Sequence, residues 1–272
     1  MTFPFRGSVA VVTGAAQGIG RALALRLAKE GVALALADID AVRLEATAAE
    51  ARSAGVAVST HRLDIGDAAA IAALPDAVLA HHHRVNLLIN NAGVALMGTF
   101  DEVALADIEW LFAINFWGVV RMTKAFLPVL QREPCAHIVN LSSVFGIIAP
   151  AGQSAYSASK FAVRGFSEAL RHELDGSTVG LSVVHPGGIA TAIAENARVA
   201  AAVTADQAKQ AVAGFKQVAK TTPEVAAERI FQGIKRREKR ILIGRDASLI
   251  ALIQRLLPVG YWALFRKSFA PT

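Results

Sequence analysis

The sequence predicts an α/β fold, a doubly wound seven-stranded parallel sheet in a single domain. Three observations carry this. Short apolar runs alternate with longer helical patterns from end to end. Most of the runs are apolar throughout instead of alternating, as strands covered on both faces are. The first run passes through a glycine-rich turn straight into an Ala-rich helix.

In chain order, the first strand is expected at SVAVVT (8–13), running into TGAAQGIG (13–20) and the helical segment GRALALRLAKEG. VALALA (32–37) is the second strand; it ends in ADID and precedes the helical pattern AVRLEATAAEARSAG. The third and fourth strands are VAVSTHRL (56–63) and NLLIN (86–90). A long apolar helix, ADIEWLFAINFWGVVRMTKAFLPVLQ, leads to the fifth strand, HIVNL (137–141). The sixth and seventh strands are LSVVH (181–185) and RILI (240–243), separated by a long Ala-rich stretch. No Pro/Gly/Ser-rich linker and no 20–50-residue repeat divides the chain. One domain is expected over 1–244, with an extension over 245–272.

Composition narrows the function classes. The 272 residues are 54% hydrophobic and 18% charged, ample for a large core. A lone cysteine, Cys135, excludes an intrachain disulfide and fits a reducing, cytoplasmic compartment. No signal peptide is visible and no apolar run reaches 18 residues, so a transmembrane span is not expected. The net charge of +6 is uneven: the segment from Lys216 onward carries +8 and the rest −2. No nucleic-acid motif or aromatic platform accompanies that basicity, so no nucleic-acid partner is expected. HHH at 81–83 lacks partner ligands, and one cysteine with scattered histidines makes no zinc site. No metal is expected.

Chemistry gathers in three places. Gly14, Gly18 and Gly20 allow a tight turn and a close approach of backbone to a pyrophosphate at a helix N-terminus. Their spacing is G-x-x-x-G-x-G, and a purely structural turn is the alternative. Asp38, eighteen residues after Gly20, suits the two ribose hydroxyls of an adenosine and repels a 2′-phosphate. Helix capping is the competing role, and Asp40 serves it equally well. Neither Gln17 nor Ile39 is the cation an extra phosphate would need. Finally, SAYSASK (154–160) sets Tyr156 and Lys160 four apart, on one helical face. An ammonium beside a phenol favours the phenolate and lowers its pKa from about 10. A surface helix with two chance neighbours is the alternative.

Taken together, TGAAQGIG, NNAG (90–93), Asn115, Ser143, YSASK (156–160) and HPGGIAT (185–191) resemble the short-chain dehydrogenase/reductase family, in family order over residues 8–243. The resemblance implies a Rossmann-type fold and hydride transfer with a nicotinamide cofactor. It implies that Tyr156 is the acid/base and that Lys160 binds the nicotinamide ribose and lowers the tyrosine pKa. Ser143 would hydrogen-bond the substrate oxygen, and Asn115 would support a water-linked proton path to Lys160. Ser142, as a strand-end residue, is the alternative to Ser143. Asp64 would contact the adenine, with Ile65 beside it, and Asn91, Ala92 and Gly93 would pack along the cofactor. Pro186, Gly187, Ile189 and Thr191 would border the nicotinamide, while Gln17 and Ile19 would complete the glycine loop. A nascent alkoxide needs a poised donor and a second fixed donor, and no side chain supplies a hydride.

Asp38 points to NAD in preference to NADP. Val94, Ala95, Leu96, Val144, Phe145, Ile147 and Ile148 are expected near the substrate, and no arginine stands among them. A hydrophobic alcohol or ketone is therefore the expected substrate. The stretch 188–217 falls where the family carries its lid. Ile114, Phe116, Trp117, Met122 and Phe126 make the long helix apolar on more than one face, and the family pairs such helices across a homodimer or homotetramer. Two rival readings stand: an NADPH-dependent reductase of carrier-linked 3-oxoacyl groups docking on the basic segment, and a non-catalytic dinucleotide sensor. Asp38 opposes the first and the complete Asn115/Ser143/Tyr156/Lys160 set opposes the second. In the extension, Leu249, Ile250, Leu252, Ile253, Leu256 and Leu257 form an apolar helical face, followed by Tyr261, Trp262, Leu264, Phe265 and Phe269 among Arg266 and Lys267. This segment is expected to pack on the domain or a neighbouring subunit, or to touch a membrane surface with help from KRREKR (235–240).

Overall fold

Every residue of β1 (Val9–Thr13) is buried, and its side chains alternate between two cores. Ala10 and Val12 face one layer of helices while Val11 faces the other. That is why the run reads as apolar throughout. The computed structural model describes residues 2–269, with the side chains of Lys267 to Phe269 outside the description. After β1 come α1 (Gly18–Ala28), β2 (Ala33–Asp38), α2 (Ala41–Arg52), β3 (Val58–Arg62), α3 (Ala68–His82) and β4 (Leu87–Asn90). β5 (Leu96–Met97), α4 (Leu105–Phe112), α5 (Gly118–Leu130), β6 (Ala136–Leu141) and α6 (Ser154–Glu173) follow. The chain continues through β7 (Val179–Pro186), β8 (Arg198–Val199), α7 (Ala205–Val218), α8 (Pro223–Lys235), β9 (Arg240–Ile243), α9 (Arg245–Leu256) and α10 (Tyr261–Phe269).

Seven strands form one parallel sheet in the order β3-β2-β1-β4-β6-β7-β9. The strand order reverses between β1 and β4, which opens a crevice at the carboxyl edge where such sheets bind ligands. Because all strands are parallel, the segments after each of them meet at that one edge. Leu23, Leu27, Leu34, Leu36, Ile230 and Phe231 fill one face, and Ile71, Leu88, Met122, Phe126 and Leu130 fill the other. Each such side chain contributes roughly 1.5–3 kcal/mol on burial. Asp40 accepts the Arg43 amide at 3.0 Å and so caps α2, as the capping alternative for that residue anticipated.

Local order differs from the expectation at three points. The long helical pattern is interrupted by a π-helical turn, Ala113–Trp117, between α4 and α5. Such a turn widens the helix and is common at functional sites. The Ala-rich stretch is not one element. It gives β8, which pairs with β5 through Leu96↔Arg198 and Met97↔Val199, and then α7, which has no buried residue. Lastly, KRREKR ends α8 and enters β9, so it lies at the amino edge of the sheet. The four residues of β9 separate it by about 13 Å from the carboxyl edge, where α9 begins. Arg237 is spent there on the Ala136 and Thr178 carbonyls, at 3.4 and 3.3 Å. The basic run thus enters β9 at the amino edge, whereas the extension starts from the carboxyl edge.

Candidate active site

At the carboxyl edge, Thr13 organises the floor. Its Oγ1 accepts the Asn91 and Ala92 amides at 3.0 and 3.1 Å, and the Asn91 side-chain amide donates to the Thr13 and Gly14 carbonyls at 2.9 and 3.0 Å. This clamps NNAG against the glycine turn. Gly14 has φ +66°, and a methyl carbon on Gly20 would lie 2.1 Å from the Gly14 carbonyl oxygen. The turn therefore closes only with glycine at both places. Ile19 packs against the core behind it. Gln17 occupies the N-cap of α1 without a side-chain capping bond. The first amides of that helix and its positive dipole end thus remain available to an anionic diphosphate. A dinucleotide fits this cradle.

Asp38 ends β2 with one carboxylate oxygen on the Ala16 amide at 2.9 Å and the other on the Asp40 amide at 3.0 Å. It is thus fixed beside the glycine turn and keeps lone pairs for further donors. The sequence reading overlooked Arg43. From the first turn of α2 it reaches back to the Gln17 side-chain oxygen at 3.0 Å and pairs with Asp40 at 3.4 Å. No i, i+4 pattern connects Arg43 with Gln17. Asp64 follows β3, is exposed, and accepts the Gly66 amide at 2.8 Å, while Ile65 packs inward.

Across the crevice, Asn115 is fully buried in the π-helical turn. Its Oδ1 accepts the Val94 amide at 2.8 Å, and its Nδ2 donates to the Val94 carbonyl at 3.0 Å and to Ser159 Oγ at 3.3 Å. Ser159 in turn donates to the Tyr156 carbonyl at 2.8 Å, so one amide ties the segment after β4 to α6. A methyl carbon on Gly93 would lie 3.2 Å from Asn115 Oδ1 and 3.4 Å from Lys160 Nζ. Asn115, Lys160 and Gly93 are immediate neighbours.

Tyr156, Lys160 and Ser143 come together. The buried Lys160 ammonium lies 5.7 Å from the centre of the Tyr156 ring and donates to the Leu141 carbonyl at 3.2 Å. Burial pulls its pKa down to about 8. Burial also pushes the Tyr156 phenol up to about 12, against a side-chain hydrogen bond with Ser143 that favours the phenolate. Desolvation therefore sets the direction of the shift, opposite to the one expected from the neighbouring lysine. Ser143 accepts the Phe145 amide at 3.1 Å and faces the site, whereas Ser142 turns inward and donates to the Lys160 carbonyl at 2.8 Å. His185, also overlooked, is fully buried, and its Nδ1 hydrogen-bonds the Ser143 carbonyl at 2.9 Å. Burial holds it near 4, so it is a neutral imidazole at neutral pH that donates from Nδ1.

Beyond β7, Pro186 is buried, the Gly187 amide donates to the Ile243 carbonyl at 2.9 Å, and Ile189 pairs with Thr221. Thr191 reaches the glycine turn: a methyl carbon on Gly18 would touch its Cγ2 at 3.2 Å. Around Tyr156 the walls are apolar. Leu96, Leu111 and Ala155 cluster with it, and Phe145 meets its ring edge-on at 6.2 Å. Ile147 and Ile148 are buried, Ile148 in a cluster with Val144, Ala247 and Ile250. No group of three His, Cys, Asp or Glu among the described residues is arranged to hold a metal ion.

Residues 8–202 match the family model described as short chain dehydrogenase. Over 270 residues, 98% of this chain and 96% of the relative, the chain is 45% identical to the Mycobacterium tuberculosis protein named "Putative oxidoreductase SadH". Among solved structures it resembles a short chain dehydrogenase/reductase from Burkholderia phymatum in complex with NAD (33% identity, TM-score 0.87, 99% of this chain and 98% of that one). It also resembles a metagenomic short-chain oxidoreductase in complex with NADP (29% identity, TM-score 0.70, 88% and 97%). The match to the family model spans well over half of the residues and includes the glycine turn, Ser143, Tyr156 and Lys160, so this chain belongs to the short-chain dehydrogenase family of nucleotide-binding oxidoreductases.

Proposed function

We propose that this oxidoreductase interconverts a hydrophobic secondary alcohol and its ketone, with NAD preferred over NADP. The observation that carries the reading is the convergence of Ser143, Tyr156 and Lys160 beneath an apolar wall of Leu96, Leu111 and Phe145. When bound, the nicotinamide supplies or accepts the hydride. Tyr156, protonated at neutral pH, gives its proton to the developing alkoxide, and Ser143 hydrogen-bonds the same oxygen. Lys160 and Asn115 hold the cofactor side of the site, and Asp38 takes the ribose hydroxyls. A 2′-phosphate at Asp38 would meet like charge, and Arg43 is already engaged with Asp40 and Gln17.

Against the rival reading as an NADPH-dependent reductase of carrier-linked 3-oxoacyl groups stands Asp38, fixed beside the glycine turn where a 2′-phosphate would lie. A homo-oligomer is supported by large aromatics left on α6 and the π turn, with Trp117 47% and Phe161 38% exposed. A peripheral membrane contact through the extension is supported by Leu249, Leu252, Leu256 (68% exposed) and Val259 (87%), with Arg255 and Arg266 beside them. No helix among the described residues is long and apolar enough to cross a membrane. The deciding experiment is a panel of alcohols and ketones assayed with NAD(H) and NADP(H) in parallel, followed at the nicotinamide absorbance. Turnover of apolar substrates with NAD(H) supports the reading, and a panel with none overturns it.

A further inference from the structure

The loop after β7 and the loop that carries Ser143 are fastened to the same C-terminal segment. The first of these loops follows β7. Its Gly188 amide donates to Asp246 Oδ2, in the first turn of α9, at 2.8 Å. A methyl carbon on Gly187 would lie 2.1 Å from that same oxygen, so the backbone is wrapped closely about the carboxylate. On the other side, the Thr221 amide donates to the Gly188 carbonyl at 3.2 Å, and the Ala190 amide to the Thr221 carbonyl at 2.8 Å. The second loop follows β6 and carries Ser143. Apart from one short 3₁₀ turn, Val144–Gly146, it has no regular structure, and its Ala149 amide donates to Tyr261 Oη at 3.0 Å. Val144 and Ile148 are buried with Ala247 and Ile250, and Phe145, Leu242, Tyr261 and Phe265 pack against them. Phe145 is also the ring that meets Tyr156 edge-on, at 85°.

Loops with few ladder hydrogen bonds open most readily, and small displacements of positioning groups cost rate steeply. We propose that α9–α10 is a wall of the substrate site, in which Asp246 positions the loop bordering the nicotinamide and Tyr261 positions the loop carrying Ser143 and Phe145. The proposal rests on the alcohol/ketone reading above. It separates the two faces of the extension: Ala247, Ile250 and Tyr261 serve the site, and Leu249, Leu252 and Leu256 remain on the outside. Asp246 and Tyr261 touch neither the reacting atoms nor, by this reading, the substrate. Both act through backbone amides.

The test uses the full chain and four variants: Asp246→Asn, Asp246→Ala, Tyr261→Phe and Tyr261→Ala. Three quantities are read: NADH affinity by fluorescence, steady-state kinetics on methyl ketones of increasing chain length, and the thermal midpoint. Asp246→Ala is expected to weaken NADH binding and lower kcat/KM by about tenfold, whereas Asp246→Asn, which keeps an acceptor oxygen, restores most of both. Tyr261→Phe keeps the ring and loses the Ala149 acceptor. It is expected to raise KM for the longer ketones about three- to tenfold while leaving the shortest nearly unchanged, and Tyr261→Ala is expected to enlarge that difference. A role in stability alone would lower the thermal midpoint while leaving NADH affinity and the chain-length ratio within twofold of the parent. That result overturns the proposal. If the parent turns over no ketone in the series, the alcohol/ketone reading falls and NADH affinity alone decides. Unchanged affinity in Asp246→Ala then overturns the inference, and weakened affinity with recovery in Asp246→Asn upholds the positioning of the loop.

Discussion

Lys160 sits one helical turn beyond Tyr156 on α6, with its ammonium 5.7 Å from the centre of the phenol ring, and burial moves the two groups in opposite directions. The phenol rises to about 12 and the ammonium falls to about 8. Each shift favours the uncharged form, because taking either charge out of water is costly. Tyr156 is therefore an acid at neutral pH, suited to meeting an alkoxide as it forms. Ser143 is the partner that favours its anion.

Replacing Tyr156 by Phe keeps the ring and its contact with Phe145 while removing the proton. Turnover is expected to fall by about 10²–10⁴-fold, the range general acid–base catalysis supplies. NADH should still bind with near-parent affinity. A variant that retains parental turnover would remove Tyr156 from the mechanism.

Moving the cofactor preference requires removing one charge and adding another. Asp38→Ser with Ile39→Arg is expected to shift the ratio of kcat/KM values toward NADP by at least about tenfold, since like-charge contact costs on the order of several kcal/mol. Parallel kinetics with both cofactors measure it. If the parent already uses NADP as well as NAD, the role given to Asp38 is wrong.

Acid should destabilise the fold through its buried histidines. His137, near Arg237, is held at about 3, and His185, near Arg240, Arg164 and Glu168, at about 4, both by burial. Their ordinary value in an unfolded chain is 6.5. As pH falls through 6.5 the unfolded chain takes up protons that the folded chain refuses. The stabilisation is thus complete above 6.5 and is lost progressively toward 4 and 3. The differential between neutral pH and pH below both values is on the order of 5 kcal/mol for His137 and about 3 kcal/mol for His185. Urea unfolding at pH 7.5 and pH 5 checks this, with a smaller loss expected in His137→Phe. Equal stability at the two values would contradict it.

The glycine turn offers a steric test. In Gly20→Ala the new carbon meets the Gly14 carbonyl oxygen at 2.1 Å and the Asn91 side-chain nitrogen Nδ2 at 2.5 Å. The turn must spread, at about 1–3 kcal/mol, the usual cost of overpacking. NADH affinity should drop at least about tenfold as the cradle distorts. Calorimetry and fluorescence titration report the two effects separately, and an unchanged affinity would detach this turn from the cofactor.

The sequence by itself determined what is periodic or local. Continuous apolar runs such as VAVVT fixed strands buried on both faces, and the glycine spacing after β1 fixed the turn into α1. The i, i+4 spacing set Tyr156 and Lys160 on one face of α6, and Asp40 was recognisable as a cap. Tertiary structure decided the rest. The two-residue strands β5 and β8 are too short to show any period, and they exist because they pair with each other. Thr13, His185 and Arg43 act on partners 26 to 79 residues away, a distance no local pattern encodes. KRREKR and the start of the apolar extension are near neighbours in the chain, yet the four parallel residues of β9 set one at the amino edge of the sheet and the other at the carboxyl edge. The direction of the Tyr156 shift was likewise out of reach. It depends on how completely water is removed from a phenol, and desolvation is a property of everything packed around a group, not of the residues beside it in sequence.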